Sequence, residues 1–202
     1  MQLTNGVQIN GGYISGYVVE PLAYTTSPTT STPGPINAYY WRTLYKVIYT
    51  AAELNSAGLS GSTVLIGLML YVLNVPTVQP PSVIIGLTNT ASAVGSDITS
   101  GWTTVFSGAY PQTPTLNSAT NPTYSLRFQF SSNFTWDGTS NLGIGFAEAS
   151  RGGFTETGTV TSSSSRSARF TRTDTAGSYA LTDAAVSTDV TGRAICYLVK
   201  AT

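Results

Sequence analysis

The chain has 202 residues, of which only 9% are charged, and its nine basic and nine acidic residues give a formal net charge of zero. It has no histidine and one cysteine, Cys196, which excludes a Ser-His-Asp triad, a histidine-ligated metal and an internal disulfide. A neutral chain has no net field to attract nucleic acid or anionic lipid. We therefore expect neither nucleic acid nor a membrane as a partner.

The first 37 residues are predicted to form an extended arm. Residues 1–24 alternate loosely between apolar and polar side chains, which predicts one or two short extended segments. Residues 25–35 combine Thr and Ser with three prolines, which favours polyproline II and opposes a helix. We divide the chain into an N-terminal arm with a Pro/Thr-rich linker, residues 1–37, and a body, residues 38–202. The arm packs either on its own body or on a neighbouring subunit.

One short helix is predicted, at about residues 50–57, directly after an aromatic-rich strand. Thr50 and Glu53 have the spacing of a capping box, in which each side chain binds the backbone N–H of the other residue. Gly58 is placed to end the helix in a left-handed conformation. Two turns are too few for independent stability, so the helix must pack on a sheet.

Short strands separated by turn residues account for the rest of the body. Clear alternation at 126–130 and 168–172 predicts half-buried antiparallel strands. The fold class is therefore all-β: an antiparallel β-sandwich of jelly-roll type with one short helix and an extended N-terminal arm. The predicted strands are 62–73, 82–87, 102–106, 124–130, 141–148, 166–172, 178–182 and 192–200.

The charged residues are unevenly distributed along the chain. Residues 1–126 hold only five, and the other thirteen follow in residues 127–202. Depletion of charge is typical of the centre of protein interfaces. Two interpretations remain: hydroxyl groups solvate this surface, since the chain has 32 Thr and 24 Ser, or an assembly covers it.

Three blocks resemble a known module in their order along the chain. They are residues 48–59 (IYTAAELNSAGL), 101–110 (GWTTVFSGAY) and 134–142 (FTWDGTSNL). Together they resemble a β-sandwich module found in secreted, cell-surface and fibre-type proteins of bacteria and in virion proteins of tailed phages. The resemblance covers roughly residues 44–150. It implies a β-sandwich and carries no catalytic motif.

The remaining candidates for chemistry give no strong signal. Phe134 and Trp136 share one face of a strand, and we interpret Trp136 as a core anchor, with a sugar-stacking platform as the alternative. The chain lacks the D-x-D-x-D spacing that would indicate a calcium site. Carboxylates such as Glu148 and Glu156 do not by themselves define a hydrolase, because the separation that matters for hydrolysis is the one in space. Arg166, Arg169 and Arg172 are interpreted as a solvated strand bridged to Asp174 or Asp183, or as a contact with a charged subunit. We predict no catalytic, cofactor-binding or metal-binding residues.

These observations favour a structural virion protein of a tailed phage, with capsid decoration or cement as the preferred role. The alternatives are a tail or fibre component, or a carbohydrate-binding adhesin module. The expected partners are further copies of the chain, with a trimer as one option, and other virion proteins such as the major capsid protein; a glycan is a further candidate. The sequence has no recognisable signal peptide, so we expect assembly in the host cytoplasm into the virion, with an extracellular or cell-surface location as the alternative. Aromatic residues are enriched at protein contacts, and the candidate interface residues are Tyr13, Tyr17, Tyr24, Tyr39, Tyr40 and Trp41.

Overall fold

The computed structural model describes most of the body and three short segments of the arm. The described residues are 7–9, 12–14, 16–18, 35–36, 40–72, 82–111, 115–116, 124–149, 167–185, 187–191, 193 and 196–201.

The described residues form thirteen β-strands and one short helix. In chain order they are β1 (Val7–Ile9), β2 (Gly12–Ile14), β3 (Gly16–Val18), β4 (Arg42–Tyr49), α1 (Ala51–Ser56), β5 (Thr63–Val72), β6 (Ser82–Thr90), β7 (Thr103–Gly108), β8 (Thr115–Leu116), β9 (Tyr124–Trp136), β10 (Asn141–Ala149), β11 (Ser167–Thr173), β12 (Ser187–Thr191) and β13 (Cys196–Lys200).

Two antiparallel sheets contain nearly all of these strands. The six-stranded sheet has the order β12-β11-β4-β10-β6-β7, and the five-stranded sheet has the order β3-β13-β5-β9-β8. Strands β1 and β2 pair with each other. The prediction of an all-β chain is therefore confirmed, with α1 as the one helix among the described residues.

Alternate residues from both sheets form one main core. Tyr45 and Val47 of the six-stranded sheet join Leu68, Phe128 and Leu198 of the five-stranded sheet in a single cluster of buried side chains. The period of two in the sequence produces this arrangement, because successive side chains of a strand point to opposite faces. Ile36, which lies within the predicted arm, is also fully buried in this core.

The helix follows its sequence signals closely. The Thr50 side chain accepts a hydrogen bond from the Glu53 backbone, and the Glu53 carboxylate accepts one from the Thr50 backbone. Gly58 has a φ of +95°, and the Leu59 N–H donates to the carbonyl of Leu54. This is a Schellman ending, and it places two buried leucines together. The predicted capping box and glycine terminus are both confirmed.

The predicted strand at 178–182 is wrong. Those residues form an irregular segment and a turn, in which the Ala180 N–H donates to the Asp183 carboxylate. Leu181 is apolar because it packs on the outer face of the six-stranded sheet against Leu44 and Ala147. The edge strand β12 at Ser187–Thr191 lies outside the predicted strands, since its sequence STDVT has one apolar residue.

Two loops cover the outer face of the six-stranded sheet. Trp102 and Leu181 pack over β10, where a Cβ added to Gly145 would lie 3.1 Å from Cη2 of Trp102. The indole N–H of Trp102 donates to the carbonyl of Ile98. The glycine therefore permits the close approach of a large aromatic ring to the sheet.

Candidate interface

The structure describes four of the six predicted interface aromatics and places them in three parts of the molecule. Tyr13 lies in β2 opposite Gln8, and Tyr17 lies in β3 opposite Leu198. Tyr24 and Tyr39 lie outside the described residues. Tyr40 and Trp41 lie together directly before β4, so only this pair forms a local cluster among the side chains that the structure describes.

Tyr40 and Trp41 differ in their surroundings. The Tyr40 ring is half-buried, and the guanidinium carbon of Arg172 lies 4.3 Å from its centroid. Trp41 is 38% exposed, and its backbone N–H donates to the carbonyl of Thr173, which fixes it beside β11. Of the three tryptophans, Trp41 is the exposed one. The pair therefore presents an apolar surface next to a cation.

A second arginine and aromatic pair lies at the same end of the six-stranded sheet. The guanidinium carbon of Arg42 lies 4.7 Å from the centroid of the Tyr179 ring. Arg42 is opposite Thr173 in the register of β4 and β11, one residue away from Arg172. Sequence reasoning missed this contact, because nothing in the local pattern brings residues 42 and 179 together.

Trp136 is a core residue. Its side chain is fully buried, and its indole N–H donates to the carbonyl of Ser140 over 2.8 Å. Phe134 is also buried in the main core, on the same strand face. The core-anchor interpretation is confirmed, and the alternative that Trp136 is a sugar-stacking platform is wrong, because no ring face is accessible.

The arginines of β11 make other contacts than the predicted bridges to aspartate. Arg169 donates from Nε to the carbonyl of Gly95, and Arg172 lies over the rings of Tyr40 and Phe170. Arg166 lies outside the described residues. Asp183 instead accepts the backbone N–H of Ala180.

Several of the described acidic residues have structural contacts. Asp137 accepts hydrogen bonds from the backbone N–H groups of Thr139 and Ser140, and hydrogen bonds from Ser140 and Thr139 lower the pKa of its carboxyl to about 2. Glu148 is buried on β10, and Glu156 lies outside the described residues. Within the described ranges, no cluster of three or more His, Cys, Asp or Glu side chains is arranged to hold a metal ion.

Tyr110 is a buried phenol near Glu148. Burial raises the pKa of Tyr110, and the charge of Glu148 raises it further. The sequence does not indicate this pair, because 38 residues separate the two positions and no motif links them.

Two buried ion pairs were also not predicted from the sequence. Lys46 Nζ lies 2.8 Å from Oδ1 of Asp97, and Arg193 binds both carboxylate oxygens of Glu53, over 2.8 and 3.0 Å. Arg193 also donates to the carbonyl of Ile48 and lies over the ring of Tyr49. The sequence signal that could have indicated the Lys46 pair is a charged residue within an apolar strand, as in Tyr45-Lys46-Val47.

Cys196 is buried in the main core, as predicted, and the Tyr49 hydroxyl donates to its sulfur over 3.6 Å.

No helix in the described part of the chain is long and apolar enough to cross a membrane. No family model, no curated protein and no solved structure matches the chain.

Proposed function

We propose that this chain is a structural virion protein of a tailed phage, a capsid decoration or cement protein that holds neighbouring subunits through its body and its N-terminal arm. The observation that carries the proposal is the pairing of the arm segment β3 with β13: Gly16 lies opposite Val199, and Val18 lies opposite Tyr197. Addition of an extended segment to a sheet edge gives affinity through main-chain hydrogen bonds. An arm that completes its own sheet is chemically able to complete the same edge of a neighbour.

The proposal includes a finer description of the fold. We propose that the two sheets form a β-sandwich of jelly-roll type, like the module that the three sequence blocks resemble. Its support is that the chain passes from one sheet to the other six times: between β3 and β4, β4 and β5, β5 and β6, β7 and β8, β9 and β10, and β12 and β13. Both sheets contribute to the main core.

The distribution of charge supports a covered surface. The charges of Lys46, Glu53 and Asp97, three of the five in the first 126 residues, are taken up by largely buried ion pairs, so they contribute little to solvation of the exterior. Depletion of charged groups is the compositional feature of interface centres. The proposed location is the virion, with an extracellular or cell-surface location as the alternative.

Arm deletion tests this function. Removal of residues 1–34 deletes β3 and uncovers β13 but keeps the buried core residue Ile36, so we expect the truncated protein to stay folded but to lose co-sedimentation with phage capsids prepared without it. Removal of residues 1–15 is the matched control, because it deletes β1 and β2 but keeps β3, and we expect it to retain binding. Equal binding by the full chain and the 1–34 deletion would refute the role of the arm.

A tail or fibre role rests on the same contacts, and immunogold labelling of intact particles distinguishes it from a capsid role.

The carbohydrate-binding alternative needs an exposed aromatic platform. Of the three tryptophans, Trp41 alone is exposed, so a glycan array with Trp41→Ala as the control tests it.

A further inference from the structure

The outer face of the five-stranded sheet carries a buried apolar strip. Successive residues of a strand face opposite ways, and Leu68 of β5 and Leu198 of β13 both face the main core. Their neighbours along the two strands therefore face outward; we call them the Met69 strip, and they are Met69, Tyr197 and Val199. Their exposed fractions are only 3%, 3% and 4%. Neither of the two clusters of buried apolar side chains that the described residues form contains them, so a further segment covers this face.

The covering segment lies over one half of this outer face. Strand β9 continues the same face, where Arg127 is opposite Met69 and Gln129 is opposite Gly67. Arg127 is only half-buried, and Gln129 is exposed. The Gln129 side chain accepts a hydrogen bond from Arg127 and donates one to the carbonyl of Ile66, which gives the strip a polar border. Burial therefore decreases from β13 towards β9, and the covering segment comes from the β3 edge of the sheet.

A shallow groove crosses the sheet from that edge. Gly16 of β3 is opposite Val199, and Val199 is opposite Gly67 of β5. This row of three strands therefore has a single side chain on its outer face. A segment that begins beside Gly16 can approach the backbone closely there, because glycine has no Cβ.

The β1–β2 hairpin is the segment that begins at this position. One residue separates Ile14, the end of β2, from Gly16, so their Cα atoms lie at most roughly 7 Å apart. Among the described strands, β1 and β2 pair only with each other, and a two-stranded hairpin is marginally stable by itself. The register places Val7, Ile9 and Ile14 at positions of one face. The hairpin thus has an apolar face and needs an apolar surface within reach.

We propose that the Met69 strip is an interaction surface whose partner is the β1–β2 hairpin of the same chain. A single copy of the chain buries the strip, so the covering segment belongs to that copy. The hairpin forms a local third layer on the five-stranded sheet, with its Val7, Ile9 and Ile14 face towards the strip. This inference does not depend on the proposed function, since it assigns β1 and β2 to the fold of the body and leaves the attachment to capsids with β3.

Oxidation of Met69 by hydrogen peroxide tests this contact. Oxidation converts methionine to its sulfoxide and requires access of the peroxide to the sulfur, so Met69 of the full chain should react slowly. Deletion of residues 1–15 removes the hairpin but keeps β3, and we expect it to raise the rate of Met69 oxidation several-fold. Peptide mass spectrometry measures the sulfoxide. The rate in the full chain should not change with protein concentration, because the hairpin and the strip belong to one chain.

Cys196 is the internal control for loss of folding. It lies on β13 next to Tyr197 but on the opposite face, fully buried in the main core. Removal of the hairpin should expose Met69 alone, whereas opening of the sheet would expose both residues. The reaction of Cys196 with a thiol-specific reagent should therefore stay slow in the 1–15 deletion.

Two point variants test the hairpin without shortening the chain. Ile9→Asp places a carboxylate on the hairpin face that we assign to the strip, and we expect it to raise the rate of Met69 oxidation in the same direction as the deletion. Gln8→Asp is the matched control, because it introduces the same residue one position away on the other hairpin face and should leave the rate unchanged. This pair decides the question if the deletion also exposes Cys196.

Several outcomes would overturn this contact. Slow oxidation of Met69 in the 1–15 deletion, with fast oxidation only in the 1–34 deletion, would place the covering segment after the hairpin. Equal oxidation rates in Ile9→Asp and Gln8→Asp would mean that the hairpin does not contact the strip. Protection of Met69 that increases with protein concentration would assign the hairpin to a second copy. Co-sedimentation with capsids enters none of these measurements, so this inference and the proposed function can fail separately.

Discussion

Three oxygen atoms surround the ammonium group of Lys46, which is buried on the outer face of β4. Nζ donates to Oδ1 of Asp97 at 2.8 Å, to the carbonyl of Ile98 at 2.7 Å and to the carbonyl of Asp183 at 2.6 Å. The other Asp97 oxygen accepts the Ala185 N–H. Lys46 thus binds two loops to the sheet, and all three N–H donors of its ammonium group form hydrogen bonds.

We expect Lys46→Met to reduce the free energy of unfolding by about 3 kcal/mol, because it leaves the Asp97 carboxylate without its cation. Urea unfolding measures the loss, and Arg127→Met is the control, since it removes one cation from a less buried site and should cost about 0.5 kcal/mol or less. The double variant Lys46→Met with Asp97→Asn should lose less than the sum of the two single variants. Additive losses would contradict a direct pairing.

The partners of these buried charges could not be predicted from the sequence. Lys46 and Asp97 are separated by 51 positions, and Arg193 and Glu53 by 140. A period of two predicts which face of a strand a residue occupies, but not which loop returns to cover that face. For the same reason, the sequence could not predict that Arg172 lies over the ring of Tyr40.

Local signals predicted elements well where the chemistry is local. The capping box and the Schellman glycine of α1 depend on residues three to five positions apart, and both are confirmed. The segment 178–182 has the apolar content of a strand, yet its Leu181 covers an outer face. The sequence alone does not distinguish an apolar residue that pairs within a sheet from one that packs on its surface.

The turn between β9 and β10 is fixed by a glycine contact. Gly138 has a φ of +86°, and a Cβ added there would lie 2.6 Å from the backbone carbon of Gly61. Gly61 also has a positive φ, of +61°, but a Cβ there would meet nothing within 4 Å. The two glycines therefore separate the effect of backbone conformation from the effect of steric overlap.

Both substitutions by alanine should destabilise the protein, to different extents. We expect Gly61→Ala to cost about 1 kcal/mol, because only the left-handed conformation is strained. Gly138→Ala adds a clash with backbone atoms and should cost at least about 2 kcal/mol. Urea unfolding of the two variants measures the difference. Equal losses would mean that the turn moves away from Gly61 without cost.

At the scale of the molecule, α1 joins the two sheets, and the ion pair of Glu53 with Arg193 fixes it there. Arg193 is fully buried and contacts the helix through Glu53 and the six-stranded sheet through the Ile48 carbonyl. Burial alone would raise the pKa of Glu53, but hydrogen bonds from Arg193 and Thr50, with the charge of Arg193, lower it below its ordinary value of 4.5. This connection between the helix and the six-stranded sheet therefore depends on pH.

The direction of that dependence follows from linkage. Because the folded-state pKa of Glu53 is lowered, its contribution to stability is present above pH 4.5 and is lost as the pH falls through the folded-state pKa. We expect Glu53→Gln to be less stable than the natural chain at pH 7, and the difference between the two to narrow below pH 4.5. Urea unfolding at a series of pH values from neutral to acidic measures this difference.

Asp137→Asn provides the comparison for this series. The pKa of the exposed Asp137 is lowered from 3.8 to about 2 by the hydrogen bonds of its turn, so its stabilising contribution is lost only over that more acidic interval. The difference between Asp137→Asn and the natural chain should therefore stay constant down to about pH 3.8, where that of Glu53→Gln has already begun to narrow. A Glu53→Gln difference that stays constant throughout the acidic range would mean that Arg193 holds the helix without help from the ionised carboxylate.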